Sequence, residues 1–284
     1  MKTYLDCIPC FVRQALDAAR MASAEPEVHE RMLREVLHWT SEMDLDEPPP
    51  ALAQRIHRRL REVSGVPDPY REAKDRLNQM ALNFLPELKA GIDAAADPLA
   101  MAVRLAIAGN VIDMGVNSNV EESDVRQSVS QALTEHFTGE LNGFRRAVAE
   151  ARNILYLADN AGEIAFDRLL IEQLLPAPVT LVVRGRPVIN DATMADAHAV
   201  GLHEVVEIID NGSDAPGTML EDCSKEFRRR FAEADMILAK GQGNFETLSD
   251  ESHNIFFLFK AKCPVIAAHA GLPLGTHALR RSNT

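Results

Sequence analysis

Two polar segments in the second half of the chain follow apolar runs, as metal ligands often follow buried strands. The run Ile154–Ala158 leads directly into Asp159 and Asn160, and the run Val179–Arg184 is followed a few residues later by Asp191. Residues at strand ends lie at the edge of a sheet, where open α/β sheets bind ligands. Carboxylate and amide oxygens suit Mg²⁺ or Mn²⁺. The pair of segments predicts a hard-cation site and chemistry on phosphate, although for each residue taken alone a helix cap or turn is the favoured interpretation.

A third segment places a lysine and two glycines after the apolar run Met236–Ala239. Its sequence is Lys240-Gly241-Gln242-Gly243. An ammonium group and exposed backbone N–H groups at a strand end can hold a phosphate together, which makes Lys240 and Gly241 candidate phosphate ligands. The spacing matches neither a Walker A loop nor the dinucleotide-binding fingerprint. A simple turn is the alternative interpretation of the two glycines.

A polar pair, Asn110 and Asp113, ends the very apolar segment Pro98–Ile112. Residues three apart share one face of a helix. Polar groups on a buried helix are costly unless they meet a partner or a binding site. The pair therefore indicates either a site or the end of a helix near a glycine.

Cys7 and Cys10 form a CxxC motif near the start of the chain. The sequence contains no second CxxC to complete a zinc site, and no preceding βα pattern of the thioredoxin type. We expect two core or loop thiols, with a metal or redox role as the alternative. Cys223 and Cys263 are expected to be structural.

The composition excludes several classes of function. The chain has 284 residues, of which 46% are hydrophobic and 25% charged, as is typical of soluble globular proteins. Its formal charge of -12 argues against a nucleic-acid surface. No apolar run reaches the length of a membrane helix, and Asp6 interrupts the N-terminus too early for a signal peptide. Four cysteines are too few for a disulfide scaffold, so we expect a reduced, cytoplasmic protein.

The residues that could do chemistry must be positioned by a sheet. Apolar periodicity predicts helices in the first half of the chain, and after about residue 150 short β-type runs alternate with helical segments. This alternation predicts a mostly parallel, three-layer α/β/α domain over 151–284, after a helical domain over 1–150. The predicted strands are Ile154–Ala158, Val179–Arg184, Val205–Ile209, Met236–Ala239, Ile255–Phe259 and Val265–Ala268. The predicted helices are Cys7–Ala22, Val28–Met43, a segment from Ala51 to Gly65, Tyr70–Ala95, Pro98–Ile112 and Val125–Phe137.

The order and spacing of the motifs resemble those of the damage-control phosphatase family, long described as a domain of unknown function. The resemblance runs from about residue 1 to 277, and the CxxC and the segment around Asn110 are similar to the stand-alone prokaryotic branch of that family. Its most specific segments are Asp159–Glu163, Arg184–Thr193, Lys240–Asn244 and Phe259–Val265. One departure is Ala192, where the family often has valine. This change affects packing and leaves the role of Asp191 intact.

The resemblance implies a Rossmann-like α/β/α domain with an all-helical N-terminal part. It implies a metal-dependent phosphatase that hydrolyses phosphomonoesters of small metabolites, such as sugar phosphates or damaged phosphometabolites. Transferred by motif, Asp159, Asn160 and Asp191 would bind a divalent cation, which could be Mg, Mn, Co or Ni. Lys240 would hold the phosphate.

The same resemblance gives lesser roles to four further residues. Glu163 would join Asp159 and Lys240 in catalysis, while Asn110, Gly241 and Arg184 would contact the substrate or its phosphate. The attacking group could be a metal-bound water or a carboxylate such as Asp159, and the sequence does not decide between them.

Two other functions fit parts of the sequence. A nucleotide- or methyl-donor-binding Rossmann enzyme needs a glycine-rich loop after its first strand, and here Gly162 is the only glycine in that turn. A metal- or redox-sensing protein built on Cys7 and Cys10 would need no catalysis. The sequence leaves the physiological substrate and the oligomeric state open.

Overall fold

The structure, a computed structural model, describes residues 1–111, 121–134 and 137–282. Asp113, which the sequence analysis paired with Asn110, lies outside the described residues. The strands are β1 (Phe137–Gly139), β2 (Ile154–Leu157), β3 (Val179–Val183), β4 (Glu207–Asp210), β5 (Met236–Lys240), β6 (Ile255–Lys260) and β7 (His277–Arg281). The α-helices are α1 (Cys7–Ala22), α2 (Pro26–Glu42), α3 (Pro49–Ser64), α4 (Arg71–Ala94), α5 (Pro98–Ala108), α6 (Glu122–Thr134), α7 (Leu141–Glu150), α8 (Glu163–Leu174), α9 (Met194–Ala199), α10 (Lys225–Glu233), α11 (Gly241–Leu248) and α12 (Pro264–Ala270).

The strands form one sheet in the order β1-β7-β6-β5-β2-β3-β4. Neighbouring strands pair in parallel except β6 and β7, which pair antiparallel. From β2 the chain adds β3 and β4 on one side, then crosses back to add β5 and β6 on the other. The carboxyl ends of β2 and β5 therefore lie at a topological switch point, where open α/β sheets bind ligands.

Helices cover both faces of the sheet, so the central strands are buried throughout. Every residue of β2, β3 and β5 is buried, which explains why these strands read as continuous apolar runs. One face packs against α4, α5 and α8 in the largest core cluster. The other face packs against α10, α11 and α12 in a second cluster. This is the predicted mostly parallel, three-layer architecture, and the prediction of fold class is confirmed.

Helices α1, α2 and α3 form a third cluster, built around Met32, Val36, Ile56 and Leu60. Val188 and Ile189, from the loop after β3, pack into this cluster and attach it to the sheet domain.

The sheet domain includes segments that precede residue 150, where the sequence analysis placed the boundary between the two domains. Strand β1 precedes that residue, and α4 and α5 share the core of the sheet rather than that of the first three helices. The prediction of a separate helical domain over 1–150 is therefore too long, because α4 and α5 bury their apolar faces on the sheet.

The predicted strand Val265–Ala268 is wrong. Pro264 occupies the first turn of α12, and Cys263 caps the helix with its sulfur 3.5 Å from the backbone N–H of Ile266. A short apolar run does not distinguish a strand from a buried helix. No helix among the described residues is long and apolar enough to cross a membrane.

Candidate metal and phosphate site

The loops that follow β2 and β3 are hydrogen-bonded to each other, which brings the predicted metal ligands together. Asn160 and Asp191 form an isolated antiparallel bridge. The backbone N–H of Ala192 donates to the carbonyl of Asp159 at 2.7 Å, and that of Ala161 donates to the carbonyl of Asn190 at 2.8 Å. The three predicted ligands thus sit side by side at the carboxyl edge of the sheet.

These three side chains line the floor of a cavity of about 520 Å³ between the sheet edge and helices α1 and α3. Asp159 is 8% exposed, and Asn160 and Asp191 are each 4% exposed. Their low exposure places two acidic side chains in a recess, where a cation is the natural counter-charge.

Two asparagine amides fix the orientation of Asp159. The Nδ2 atoms of Asn110 and Asn160 donate to Asp159 Oδ2 at 3.0 and 2.9 Å. The same two nitrogens donate to Glu163 Oε2 at 2.8 and 3.0 Å. Because both amide nitrogens point at carboxylates, the amide oxygen of Asn160 points away from them. The Asn110 oxygen is buried and has no hydrogen-bond partner among the described residues.

Arg184 contacts Asp191, the other acidic residue of the predicted metal site. Its Nε donates to Asp191 Oδ2 at 2.7 Å, and its Nη2 lies 3.9 Å from Asp159 Oδ1. The guanidinium is 2% exposed and does not line the cavity. The structure therefore differs from the expectation that Arg184 contacts phosphate, since this cation is buried against the two carboxylates and positions them.

Lys240 is fully buried behind Glu163. Its Nζ donates to Glu163 Oε1 at 2.6 Å, to Asp167 Oδ1 at 2.6 Å and to the carbonyl of Ala106 at 2.9 Å. An ammonium group has three N–H donors, and these three contacts use all of them. The structure therefore differs from the expectation that Lys240 holds the phosphate.

The charged groups around Lys240 form a buried network that sequence reasoning did not identify. The hydroxyl of Tyr156, on β2, donates to Asp167 at 2.7 Å. Burial raises the pKa of Asp167 to about 6, although Lys240 opposes that shift. Burial acts to lower the pKa of Lys240, but the adjacent carboxylates raise it overall. The network holds Glu163 against the two asparagines that orient Asp159.

Gly241 is the first residue of α11 and packs directly against Asp159. Its φ is +77°, and an added Cβ would lie 2.9 Å from Asp159 Cβ and closer still to the carboxylate. Only glycine combines this backbone conformation with so close an approach. The structure thus gives Gly241 a steric role beside Asp159, the predicted metal ligand. It does not line the cavity, where phosphate was expected to meet it.

Lys262 is the cation that faces the cavity. It lies two residues after β6, lines the cavity with Asp159, Asn160 and Asp191, and donates to the carbonyl of Asn110. It is the one cationic side chain on the described part of the wall. The available signal was its position just past a strand end, in the segment Phe259–Val265.

Cys7, Cys10 and Cys263 also line this cavity, whereas Cys223 is buried elsewhere. All four are free thiols. Among the described residues, no group of three or more His, Cys, Asp or Glu side chains has the geometry of a metal site. A thiolate metal centre at the CxxC motif therefore has no support from the geometry.

The donor set at the cavity floor fits a hard divalent cation. It consists of two carboxylates and one amide oxygen, which leaves room for the waters that Mg²⁺ and Mn²⁺ usually retain. Ligands of this type do not favour zinc, for which imidazole and thiolate are the usual partners.

A doubly wound α/β sheet with two carboxylates at its switch point defines a Rossmann-like protein with an acidic recess at the carboxyl edge of the sheet. Comparison with known families identifies the particular group. Residues 3–277 match the damage-control phosphatase ARMT1-like domain. The chain belongs to the damage-control phosphatase family, and this membership places it among phosphatases.

Similar proteins cover nearly the whole chain. The damage-control phosphatase of Archaeoglobus fulgidus is 36% identical over 276 residues, covering 95% of this chain and 95% of its own. The damage-control phosphatase PH1575 of Pyrococcus horikoshii is 34% identical over 288 residues, covering 99% of each chain. The crystal structure of a DUF89 family protein, PH1575 from the same organism, superimposes with a TM-score of 0.89 at 32% identity and covers all of both chains.

Proposed function

We propose that this protein is a metal-dependent phosphatase that hydrolyses phosphomonoesters of small metabolites, with sugar phosphates and damaged phosphometabolites as the initial candidates. The observation that carries the proposal is the convergence of Asp159, Asn160, Asp191 and Lys262 on one recessed cavity. Family membership supports the phosphatase class, while the cation and the ester are inferences from the chemistry of the floor.

Asp159, Asn160 and Asp191 would hold the cation, which could be Mg²⁺, Mn²⁺, Co²⁺ or Ni²⁺. When bound, such a cation polarises a phosphoryl oxygen and offsets the negative charge that develops during transfer. The oxygen-only donor set favours Mg²⁺ or Mn²⁺ among these.

Other side chains of the protein bind the phosphate and position the two carboxylates. Lys262 donates to phosphoryl oxygens, because its ammonium is the cation that reaches the cavity. Arg184 and Gly241 fix the positions of the two carboxylates. Lys240 and Glu163 are buried behind Asp159. They help to position it through the amides of Asn110 and Asn160. Phosphoryl transfer depends mainly on such positioning and on charge stabilisation.

The geometry around Asp159 favours a ligand over a nucleophile. Its Oδ2 accepts hydrogen bonds from two amides, which stabilise the carboxylate and reduce its tendency to attack phosphorus. We therefore propose that a water molecule attacks phosphorus: the new P–O bond forms as the ester P–O bond breaks, and a proton from the water passes to the oxygen of the departing alcohol.

The test compares Asp191→Asn with Asp93→Asn, an exposed aspartate at the end of α4. Hydrolysis of p-nitrophenyl phosphate is measured against a panel of Mg²⁺, Mn²⁺, Co²⁺ and Ni²⁺. Asp191→Asn is expected to lose activity by about 100-fold or more, because one acidic ligand is removed, while Asp93→Asn keeps it. Full activity of Asp191→Asn at saturating metal would refute the assignment.

If the protein is instead a sensor built on the CxxC motif, its function should depend on Cys7 and Cys10 and not on Asp191. Replacing both Cys7 and Cys10 with serine is expected to leave metal-dependent hydrolysis largely intact, because neither thiol belongs to the floor of the cavity. Loss of that hydrolysis in a folded double variant would favour the cysteine-based function. A reduced, cytoplasmic setting stays a prediction that agrees with this proposal.

A further inference from the structure

A second cavity, of about 440 Å³, lies at the amino edge of the sheet, across from the candidate metal site. Its lining comes from α7, from the segments just before β2, β5 and β6, and from the last residue of β7. Because β2 and its flanking residues run between Arg152 in this lining and Asp159, about 20 Å separates the two sites. The second cavity is therefore distinct from the proposed active site.

Cationic side chains outnumber acidic ones in this cavity. Three arginines line it, Arg146, Arg152 and Arg281, against two acidic residues, Glu150 and Asp235. The whole chain, by contrast, carries a formal charge of -12. A local excess of positive charge on an acidic protein attracts small anions to that place.

The guanidinium groups of Arg146 and Arg152 are available to a ligand. Exposed arginines elsewhere in the chain pair with carboxylates, as Arg126 does with Glu122. Arg146 precedes Glu150 by one helical turn in α7, a spacing that permits the same kind of pair. Within the described ranges, however, the guanidinium groups of Arg146 and Arg152 have no hydrogen-bond or ion-pair partner.

The guanidinium of Arg281 is held in place with part of its donors unused. Its Nε donates to Asn254 Oδ1 at 2.9 Å, and its Cζ lies 5.5 Å from the centre of the Phe256 ring. Asn254 is fixed in turn, because its Nδ2 donates to the carbonyl of Asp235 at 3.0 Å. The two Nη atoms of Arg281 donate to no described residue. A planar guanidinium fixed in this way presents a fork of N–H donors that matches two oxygens of a phosphate.

The acidic residues of the lining do not cancel this arrangement. Asp235 Oδ2 accepts a hydrogen bond from the backbone N–H of Arg152 at 3.0 Å, so this carboxylate is engaged by the main chain. Glu150 is exposed at the end of α7. Three guanidinium groups thus face the cavity with one positive charge more than the two carboxylates offset.

The number and type of these donors indicate the chemistry of the ligand. Guanidinium groups from three separate segments can contact three oxygens of one phosphoryl group, whereas a carboxylate offers two oxygens and a single charge. The volume of about 440 Å³ falls within the range of pockets that enclose small organic ligands. We propose that this cavity is a second binding site, which takes a small molecule that carries a phosphoryl dianion. The inference does not depend on the proposed phosphatase reaction.

Binding of phenylphosphonate to the metal-free protein tests the inference. This dianion has a P–C bond in place of the ester bond, and protein treated with EDTA holds no divalent cation that could bind it at the other edge of the sheet. In calorimetric titrations the wild-type protein is expected to bind one molecule per chain. Arg146→Gln and Arg281→Gln should each weaken binding about tenfold or more, because each removes charge-assisted hydrogen bonds. No saturable binding by the wild-type protein would overturn the inference.

Two control variants locate the ligand. Arg20→Gln removes an exposed arginine in the last turn of α1, far from this cavity, and should leave the Kd for phenylphosphonate unchanged. Lys262→Met removes the cation of the proposed active site and should also leave it unchanged. If Lys262→Met abolishes binding while Arg146→Gln and Arg281→Gln do not, the ligand occupies the active site and the inference fails.

Two further anions define the ligand more closely. Benzenesulfonate has the same shape with a single charge, and it should bind at least about tenfold more weakly than phenylphosphonate. Equal affinity for the two would overturn the requirement for a dianion. Inorganic phosphate is titrated in the same way: affinity equal to that of phenylphosphonate identifies free phosphate as a sufficient ligand, and weaker affinity identifies an organic phosphate.

The outcome is separable from that of the proposed function. If the protein binds phenylphosphonate as described but hydrolyses no phosphomonoester with any of the four metals, the proposed function fails and the second site stands. If it hydrolyses p-nitrophenyl phosphate but the arginine variants bind phenylphosphonate like the wild-type protein, only the second site fails.

Discussion

Replacing Gly241 with alanine tests whether the position of Asp159 controls activity. The added Cβ would lie 2.9 Å from Asp159 Cβ and nearer to the carboxylate carbon and oxygen, well inside an ordinary contact. The backbone of Gly241 begins α11 and cannot retreat without disturbing that helix. We therefore expect the carboxylate of Asp159 to move by about 1 Å or more.

Two effects contribute to the expected result and differ in size. Placing alanine at φ +77° costs about 1–2 kcal/mol of stability, because the left-handed region is strained for residues with a Cβ. Displacing a positioned group by about 1 Å can lower the rate by about 100-fold. The loss of activity should thus exceed anything that the modest destabilisation explains.

Gly65→Ala provides the matched control. Gly65 has φ +69° at the end of α3, and an added Cβ there meets nothing within 4 Å. Urea unfolding, Mn²⁺ titration by calorimetry and initial rates on p-nitrophenyl phosphate would be measured for both variants. Both variants are expected to lose stability through backbone strain, and Gly241→Ala loses more because of the contact with Asp159, with weakened metal binding and activity only in Gly241→Ala. If Gly241→Ala binds Mn²⁺ and turns over substrate like Gly65→Ala, the reasoning about Asp159 is refuted.

Three other substitutions give distinct expected results. Lys262→Met should lower kcat/KM for p-nitrophenyl phosphate about 30-fold or more, because a charge-assisted hydrogen bond to phosphate is lost, while the Kd for Mn²⁺ stays unchanged. An equal loss in Lys225→Met, at the exposed start of α10, would contradict that role. Tyr156→Phe removes the donor to the buried carboxylate of Asp167 and should reduce the free energy of unfolding by about 1–3 kcal/mol in urea titrations, and unchanged stability would argue against the network. Burial lowers the pKa of His57 to about 3, so only the unfolded chain takes up its proton below about pH 6.5. Because of this histidine, the free energy of unfolding should fall by about 1.4 kcal/mol for each unit by which the pH drops between about pH 6 and 4. In His57→Gln the free energy of unfolding should fall less steeply over the same pH range.

The positions of the proposed ligand residues were predictable because they depend on local sequence, while metal binding itself stays a prediction. An apolar run that ends in Asp159 and Asn160 fixes those residues at the end of a strand, whatever the rest of the chain does. Asp191 required one further assumption, that the next strand lies alongside in parallel, and the sheet pairs β2 with β3 in this way.

The two lysines show where this reasoning fails. Lys240 and Lys262 both occur near strand ends, and the sequence does not reveal which ammonium faces the cavity. Lys240 is still within β5, and its side chain points into the core between α5 and α8, where Glu163 and Asp167 neutralise it. Lys262 lies beyond β6 and reaches the cavity. The partners of Lys240 come from α5 and α8 and could not be inferred from its own motif.

Strands β1 and β7 were not predicted from the sequence for a similar reason. Strand β1 has three residues and, within the described ranges, pairs with β7 alone, whose other partner β6 runs antiparallel to it. Pairing of this kind is set by tertiary contacts between distant segments, because neither strand carries a strong alternating pattern.

The central claim is that Asp159, Asn160 and Asp191 bind a divalent cation. The most direct measurement is an anomalous difference map from crystals grown with Mn²⁺ and collected on both sides of the manganese absorption edge. We expect one strong peak within about 2.3 Å of oxygen atoms from these three side chains, and no such peak in crystals of Asp191→Ala, which has no ligand atom at this position. A manganese peak elsewhere, or none at saturating Mn²⁺ in the wild-type protein, would contradict the account.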